Sequence, residues 1–360
     1  MSTRNFSPWA SWMLELAALE PADPLPGPDR LADELEPWRA RVAARLDTWL
    51  APSPAPVPLE LAVTDSTPVP EGAYTRHRLE FDTTATMAVP AYLLVPDRRR
   101  QPGSAVLAIH GHGPGKDQVC GLDAPEPEPS EPPGPTGGDP FADDVPPPNG
   151  DYAHQLASAG HVVLAPDLRA FGERADWNPP DHYACDTNLV HAVMAGRSPL
   201  ADNLWDLARC LDVLADHPLV DPDRLGVAGL SYGGTCALFL AARDARIRAV
   251  VVSGYFSSLV ESHRVPWNMC GSQVLAGMLG HLEHVDLGAL VAPRPMLVES
   301  GVDDPLFPST AARGSVAQLR TVYRRLGAPD DALVHDVFAG GHQWHGTQAL
   351  PFLAEHLGAR

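Results

Sequence analysis

The sequence predicts an α/β fold, a mostly parallel, doubly wound sheet with an N-terminal helical extension. Three observations predict it. Short apolar runs alternate with helical stretches from about residue 74 onward, the pattern that stacks helices on both faces of a parallel sheet. One of those runs, Leu225 to Leu230, turns into the helix-like segment Cys236 to Ala242 through Gly229-Leu230-Ser231-Tyr232-Gly233. Residues 1–70, by contrast, carry helical periodicity and then proline.

In the extension, Trp9, Trp12, Met13, Leu16 and Leu19 form a helical stripe over Pro8 to Leu19. A second helix is predicted over Leu31 to Leu50, where Leu31, Leu35, Trp38, Val42, Leu46, Trp49 and Leu50 recur at steps of three and four. Pro52, Pro54, Pro56 and Pro58 then make a stiff linker. Two such helices cannot form a core alone, so they pack on the main domain, on another copy of the chain, or line a pocket with their tryptophans. Strand signals follow at Arg76 to Phe81 and Ala88 to Val95, an antiparallel pair. Ser104 to His110 is a buried strand ending in His110-Gly111-His112-Gly113. Tyr152 to Ala159 is helical, His161 to Ala165 a strand, and Ala201 to Asp216 a long helix before the Ser231 turn. Strands Ala249 to Ser253, Pro295 to Ser300 and Ala332 to Phe338 then alternate with helices His281 to Leu290, Ser309 to Leu326 and Trp344 to Leu357. Asp123 to Asn149 breaks the pattern, being rich in proline, with seven acids and no basic residue. It reads as a disordered acidic insertion or as a lid or oligomer contact, and residues 115–150 are the candidate lid region.

A chain of 360 residues with 44% hydrophobic and 20% charged residues is an ordinary globular protein, large enough for one α/β domain with an appendage. The formal net charge of −19 argues against nucleic acid or an anionic membrane as partner. Lys116 is the single lysine. Cys120, Cys185, Cys210, Cys236 and Cys270 are odd in number and scattered, which fits free thiols in a reducing compartment. With no secretory pattern and no apolar stretch of about 18 residues, the sequence reads as cytoplasmic.

The chemistry centres on Ser231. A G-x-S-x-G turn between strand and helix needs glycine at 229 and 233 to avoid side-chain clashes, and it lifts the hydroxyl to a helix N-terminus. A serine hydroxyl needs a base, an orienter for that base, and donors for an oxyanion. Acid candidates follow the strand Pro295 to Ser300: Asp303, Asp304 and, still within the strand, Glu299. Base candidates follow the strand ending at Phe338: His342, freed to swing by Gly340 and Gly341, and His345 three residues on. One oxyanion N–H belongs to Tyr232, directly after the nucleophile, and the other to the loop at His112. His110 and His112 invite a metal reading, but no third ligand stands at suitable spacing, and the glycines on both sides suit a backbone role better; no metal is expected.

These features resemble the α/β-hydrolase superfamily, in particular its dienelactone hydrolase and acetyl xylan esterase-like branch. The resemblance spans about residues 74–358 and rests on HGHGPGK at 110–116, PDLRAFGER at 166–174, DPDRLGVAGLSYGG at 221–234, APRPMLVESGVDDPLFP at 292–308 and GGHQWH at 340–345. It implies an eight-stranded sheet, no cofactor, and carboxylic ester hydrolysis through an acyl-enzyme. It implies the order serine, acid, histidine, hence Ser231, Asp304 and His342, with G-x-x-D-x-x-apolar-P favouring Asp304 over Asp303. Asp167 and Arg169 would brace the loop near the site. Dienelactone hydrolases use cysteine as nucleophile; the serine here favours ester hydrolysis of a small or medium acyl group, such as an acetylated sugar or a secondary metabolite. Residues 71–360 are then the catalytic domain.

Two other readings compete. A peptidase or amidase of the prolyl-oligopeptidase type shares this core but carries a large N-terminal propeller, which 70 residues cannot supply. A degenerate hydrolase kept as a binding protein would lack a triad member, and all three positions are filled. Pocket walls are expected from Trp177 to Arg197 and Ser257 to Leu279, with Tyr183, Trp267, Asn268 and Met269 as candidate lining residues or core. The expected partners are a small ester substrate and, through the N-terminal helices, a second copy of the chain.

Overall fold

The computed structural model describes residues 4–97, 102–122, 149–175, 184–264 and 270–358. One sheet of nine strands runs through it: β1 (Ala62–Val69), β2 (Tyr74–Thr84), β3 (Met87–Pro96), β4 (Gly103–Ile109), β5 (Val162–Pro166), β6 (Val220–Leu230), β7 (Ile247–Ser253), β8 (Met296–Gly301) and β9 (Leu333–Phe338). Their order is β1-β2-β3-β5-β4-β6-β7-β8-β9. The first three strands and the β3–β5 pair are antiparallel; every later pair is parallel. The ninth strand beyond the expected eight is β1, which lies in the stretch read as linker. Most of its residues are exposed, so it carries no apolar alternation for a sequence pattern to reveal.

The helices are α1 (Pro8–Ala17), α2 (Leu31–Trp49), α3 (Lys116–Val119), α4 (Tyr152–Ser158), α5 (Ala184–Met194), α6 (Pro199–Asp216), α7 (Tyr232–Arg243), α8 (Leu259–His263), α9 (His284–Val291), α10 (Ser309–Arg325) and α11 (Ala349–Leu357). Alternation along the parallel strands divides the core. Ala105, Leu107 and Ile109 of β4 join α2, α6, α7, α9 and α10 on one face, whereas Val106 and Ala108 join α4 and α11 on the other. Both faces are covered, so the central strands read as continuous apolar runs.

The topology creates the site. From β4 the chain moves to β5 on one side, then returns to β6 on the other. The loops after β4 and β6 therefore diverge at a switch point, where doubly wound sheets leave a crevice at the strand C-termini.

Helix α2 is part of the main core. Leu31, Leu35, Trp38, Val42 and Leu46 are buried, each contributing roughly 1.5–3 kcal/mol relative to exposure, and Trp38 Nε1 donates to Asp23 O at 3.0 Å. Arg39 and Arg45 donate to carbonyls at Ala292 and His281. In α1 only Leu16 is buried. Trp12, Leu16 and Leu19 line a cavity of about 350 Å³ with Glu15, His263 and Leu279, so the two tryptophan stripes divide between core packing and pocket lining.

The expected terminal helix from Trp344 begins instead at Ala349. Gly346 adopts φ +74° and the backbone N–H groups of His345 and Gly346 are held by Glu299, so 344–348 is a clamped loop. Within the expected walls, 184–194 is α5 and 259–263 is α8. Tyr183, Trp267, Asn268 and Met269 lie outside the described residues, as does 123–148 of the candidate lid region. Among the described residues, no helix is long and apolar enough to cross a membrane.

Candidate active site

Ser231 occupies the corner between β6 and α7 with φ 58° and ψ −119°, a conformation that costs a non-glycine residue on the order of 1–3 kcal/mol. The surroundings hold it there. Its N–H donates to Ser253 O at 2.9 Å, and its carbonyl accepts from Thr235 N at 2.9 Å. A Cβ on Gly229 would lie 2.2 Å from Gly233 O, and one on Gly233 would lie 2.0 Å from Ile109 O. Only glycine permits the turn at both places.

His342 lies on the loop after β9. Its Nδ1 is 2.9 Å from Asp304 Oδ2, and its ring stacks on Phe307. Its Nε2 is buried with no hydrogen-bond partner among the described residues. Beneath the ring runs Gly254, φ +54°, where a Cβ would lie 3.0 Å from His342 Cε1 and 3.1 Å from Leu230 Cδ1. Gly254 follows the Ser253 carbonyl that accepts from Ser231 N, so His342 and Ser231 contact adjacent residues of one segment.

The three acid candidates separate by contact. Asp304 is buried; its Oδ1 accepts from Leu306 N at 2.8 Å and Phe307 N at 3.0 Å, leaving Oδ2 for His342. Asp303 is exposed and its backbone N–H donates to Gly340 O. Glu299 holds the His345–Gly346 backbone, and burial raises its pKa. His345 turns away to Asp336, with Nδ1 2.7 Å from Oδ2.

The β4 loop closes the other side. A Cβ on Gly111 would lie 3.2 Å from Ser231 Cβ, so the loop that carries His112 runs against Ser231 at its Gly111 end. Tyr232 opens α7, where the first N–H groups have no intrahelical acceptor. His110 is a brace. Leu168 N donates to its Nε2 at 2.9 Å, so Nδ1 carries the proton and donates to Gly111 O at 2.6 Å; burial lowers its pKa.

Asp167 and Arg169 hold the 166–174 loop. The buried Asp167 accepts from Lys116 N, Lys116 Nζ (2.9 Å) and Glu173 N. Arg169 pairs with Asp206 and Asp202 of α6, at 2.8 and 2.9 Å. Sequence spacing missed one grouping: His112, Cys185 and Cys270, from three distant segments, converge beside the β4 loop. Within it Cys185 is the more acidic thiol, through a hydrogen bond with Cys270 that outweighs burial.

Residues 19–337 match the Abhydrolase family, and the chain belongs to it. The Bacillus subtilis protein YtaP, named only as a hydrolase, is 28% identical over 261 residues, covering 70% of this chain and 77% of its own. A Bacteroides fragilis protein assigned as an acetyl xylan esterase superimposes with TM-score 0.72 at 20% identity, over 94% of this chain and 83% of that one. A glucuronoyl esterase from Solibacter usitatus gives 0.62 at 17% identity, over 92% and 94%. The shared fold is that of the α/β-hydrolases.

Proposed function

We propose that this member of the Abhydrolase family is a serine carboxylic ester hydrolase whose catalytic residues are Ser231, His342 and Asp304. Asp304 accepts from His342 Nδ1–H, which fixes the tautomer and turns Nε2 toward the serine. As Ser231 Oγ attacks the ester carbonyl carbon, its proton passes to Nε2. The oxyanion so formed accepts from the Tyr232 and His112 backbone N–H groups, aided by the α7 dipole. Collapse expels the alcohol, which takes the proton from His342, and leaves an acyl-serine. Water, activated by the same imidazole, releases the acid and restores Ser231.

One observation carries this reading: the Asp304-bound imidazole has a buried Nε2 with no partner among the described residues, and it packs on Gly254, next in the chain to the Ser253 carbonyl that holds the strained Ser231. Ser231→Ala should lower kcat on p-nitrophenyl acetate on the order of 10⁶-fold, and a fluorophosphonate probe should label Ser231. Hydrolysis that survives Ser231→Ala overturns the mechanism. The ester named for the two structural neighbours favours a carbohydrate ester as substrate, with a small acetyl ester first. An ester panel graded by acyl length and alcohol tests that choice.

Residues 1–70 are read as an extension fused to the catalytic domain of 71–360, with α2 as the anchor. Exposed Phe6, Trp12 and Leu14 support pairing of two copies through the N-terminal helices, which light scattering on the full chain tests. Five free cysteines support a reducing, cytoplasmic setting.

A further inference from the structure

Three soft ligand atoms meet beside the β4 loop. His112 Nε2 lies 3.0 Å from Cys270 Sγ, and with Cys185 Sγ all three atoms lie within 4.8 Å of one another. Each comes from a separately anchored segment. Cys270 precedes the turn Gly271–Gln273, whose Gln273 Nε2 donates to Thr235 Oγ1 of α7 at 2.9 Å. Cys185 lies in the first turn of α5, against which Gly271 packs so closely that a Cβ there would lie 3.1 Å from Cys185 O. The His112 ring is wedged between Phe171 and Tyr232. Cys185 is buried, and the other two residues are half-buried.

We propose that His112, Cys185 and Cys270 form a binding site for a thiophilic divalent cation of the Zn²⁺ type, with three protein ligands and one open position. Two sulfurs and an imidazole are the donors such ions select. Metal–ligand lengths of about 2.3 Å to sulfur and 2.0–2.1 Å to nitrogen set tetrahedral ligand atoms roughly 3.5–3.8 Å apart, inside the observed spread. Charge also closes. Each thiol gives up its proton on binding, so two protons leave per ion, and two thiolates with a dication make a neutral unit that a buried pocket tolerates. The other His/carboxylate groupings lack this character. Among the described residues, Glu299, Asp336 and His345 offer two carboxylates and no sulfur, and so do Asp331, Glu355 and His356, of which Asp331 and Glu355 are exposed.

In sequence His112 had no third partner at ligand spacing; folding supplies two sulfurs. A bound ion ties the β4 loop to α5 and to the 271–273 turn, and thereby fixes the backbone beside Ser231. That consequence rests on the esterase reading, while the binding itself does not.

The test uses the full chain, reduced and stripped of metal, titrated with Zn²⁺ against a chromophoric chelator and separately with Co²⁺. One equivalent of Zn²⁺ should bind with release of about two protons, and Co²⁺ should show thiolate-to-metal charge transfer. Cys185→Ala and Cys270→Ala should each weaken Zn²⁺ at least ~100-fold, whereas Cys120→Ala, outside the cluster, should bind as before. Ser231→Ala should also bind unchanged, so a failure of the esterase mechanism leaves this result standing. Unaltered affinity in Cys270→Ala overturns the proposal. If the cysteine variants do not fold, the unmutated chain decides: no thiolate charge transfer with Co²⁺ overturns it equally.

Discussion

Gly233→Ala is the sharpest test of how the turn is built. The added methyl would sit 2.0 Å from Ile109 O and 2.8 Å from His110 O, where carbon atoms do not approach closer than about 3 Å. Tyr152 Oη donates to that carbonyl at 2.5 Å, so a retreat of the carbonyl would disturb a buried hydrogen bond. The start of α7, itself buried, must therefore move by about 1 Å and carry Ser231 with it. Overpacking of this kind costs roughly 1–3 kcal/mol of stability. A 1 Å misplacement at a reacting centre costs about 10²-fold in rate, or ~2.7 kcal/mol of barrier. The assay is kcat/KM on p-nitrophenyl acetate alongside a urea midpoint. Gly314→Ala serves as the control: that glycine lies exposed within α10 with nothing inside 4 Å of an added methyl, so it should stabilise by about 0.4–1 kcal/mol. A folded Gly233→Ala protein with activity within a few-fold of normal refutes this account of the corner.

Asp304→Asn should lower kcat by about 10⁴ through loss of the required tautomer, whereas the exposed Asp303→Asn should change it by less than a few-fold; steady-state kinetics of both settle which aspartate serves. Lys116→Met strands the buried Asp167 carboxylate and should cost about 3–5 kcal/mol in chemical denaturation. Burial pushes the Asp286 carboxyl up to about 7 from 3.8. The folded state thus keeps its proton longer than the unfolded chain, and the stability tied to that proton is complete below pH 4 and lost as pH rises through about 7. At ~1.36 kcal/mol per decade the gap sets an upper figure of ~4 kcal/mol. Asp286→Asn stays neutral and can still accept from Glu283 N, as Asp286 does at 2.9 Å. Its stability relative to the unmutated protein should therefore rise between pH 4.5 and pH 8 in urea titrations, and an unchanged difference counts against a protonated Asp286.

What the sequence revealed was mostly local. The Ser231 turn, the glycines before His342 and the buried runs of β4 to β8 announce themselves within a few residues, because sterics and burial act there at short range. Three things were not legible. Strand β1 is held by backbone pairing to β2 and shows no apolar face. The loop at 344–348 is fixed by Glu299, an acid in another strand, so helical periodicity extended too far toward Trp344. His112, Cys185 and Cys270 are neighbours only because the β4 loop, α5 and the 271–273 turn converge, and no spacing rule encodes that meeting.

Lys116 is the only lysine of the 360 residues, and its ammonium is 1% exposed between Asp167 and Glu173. The folded surface therefore offers amine-directed reagents no ε-amine at all. Crosslinkers, biotin esters and aldehyde resins would spare every loop around Ser231, and attachment to a solid support would leave the site unmodified. Acylation of Lys116 requires its contacts with Asp167 and Glu173 to open, so the rate at which a succinimidyl ester marks that one residue is a clock for the parting of α3 from the 166–174 loop.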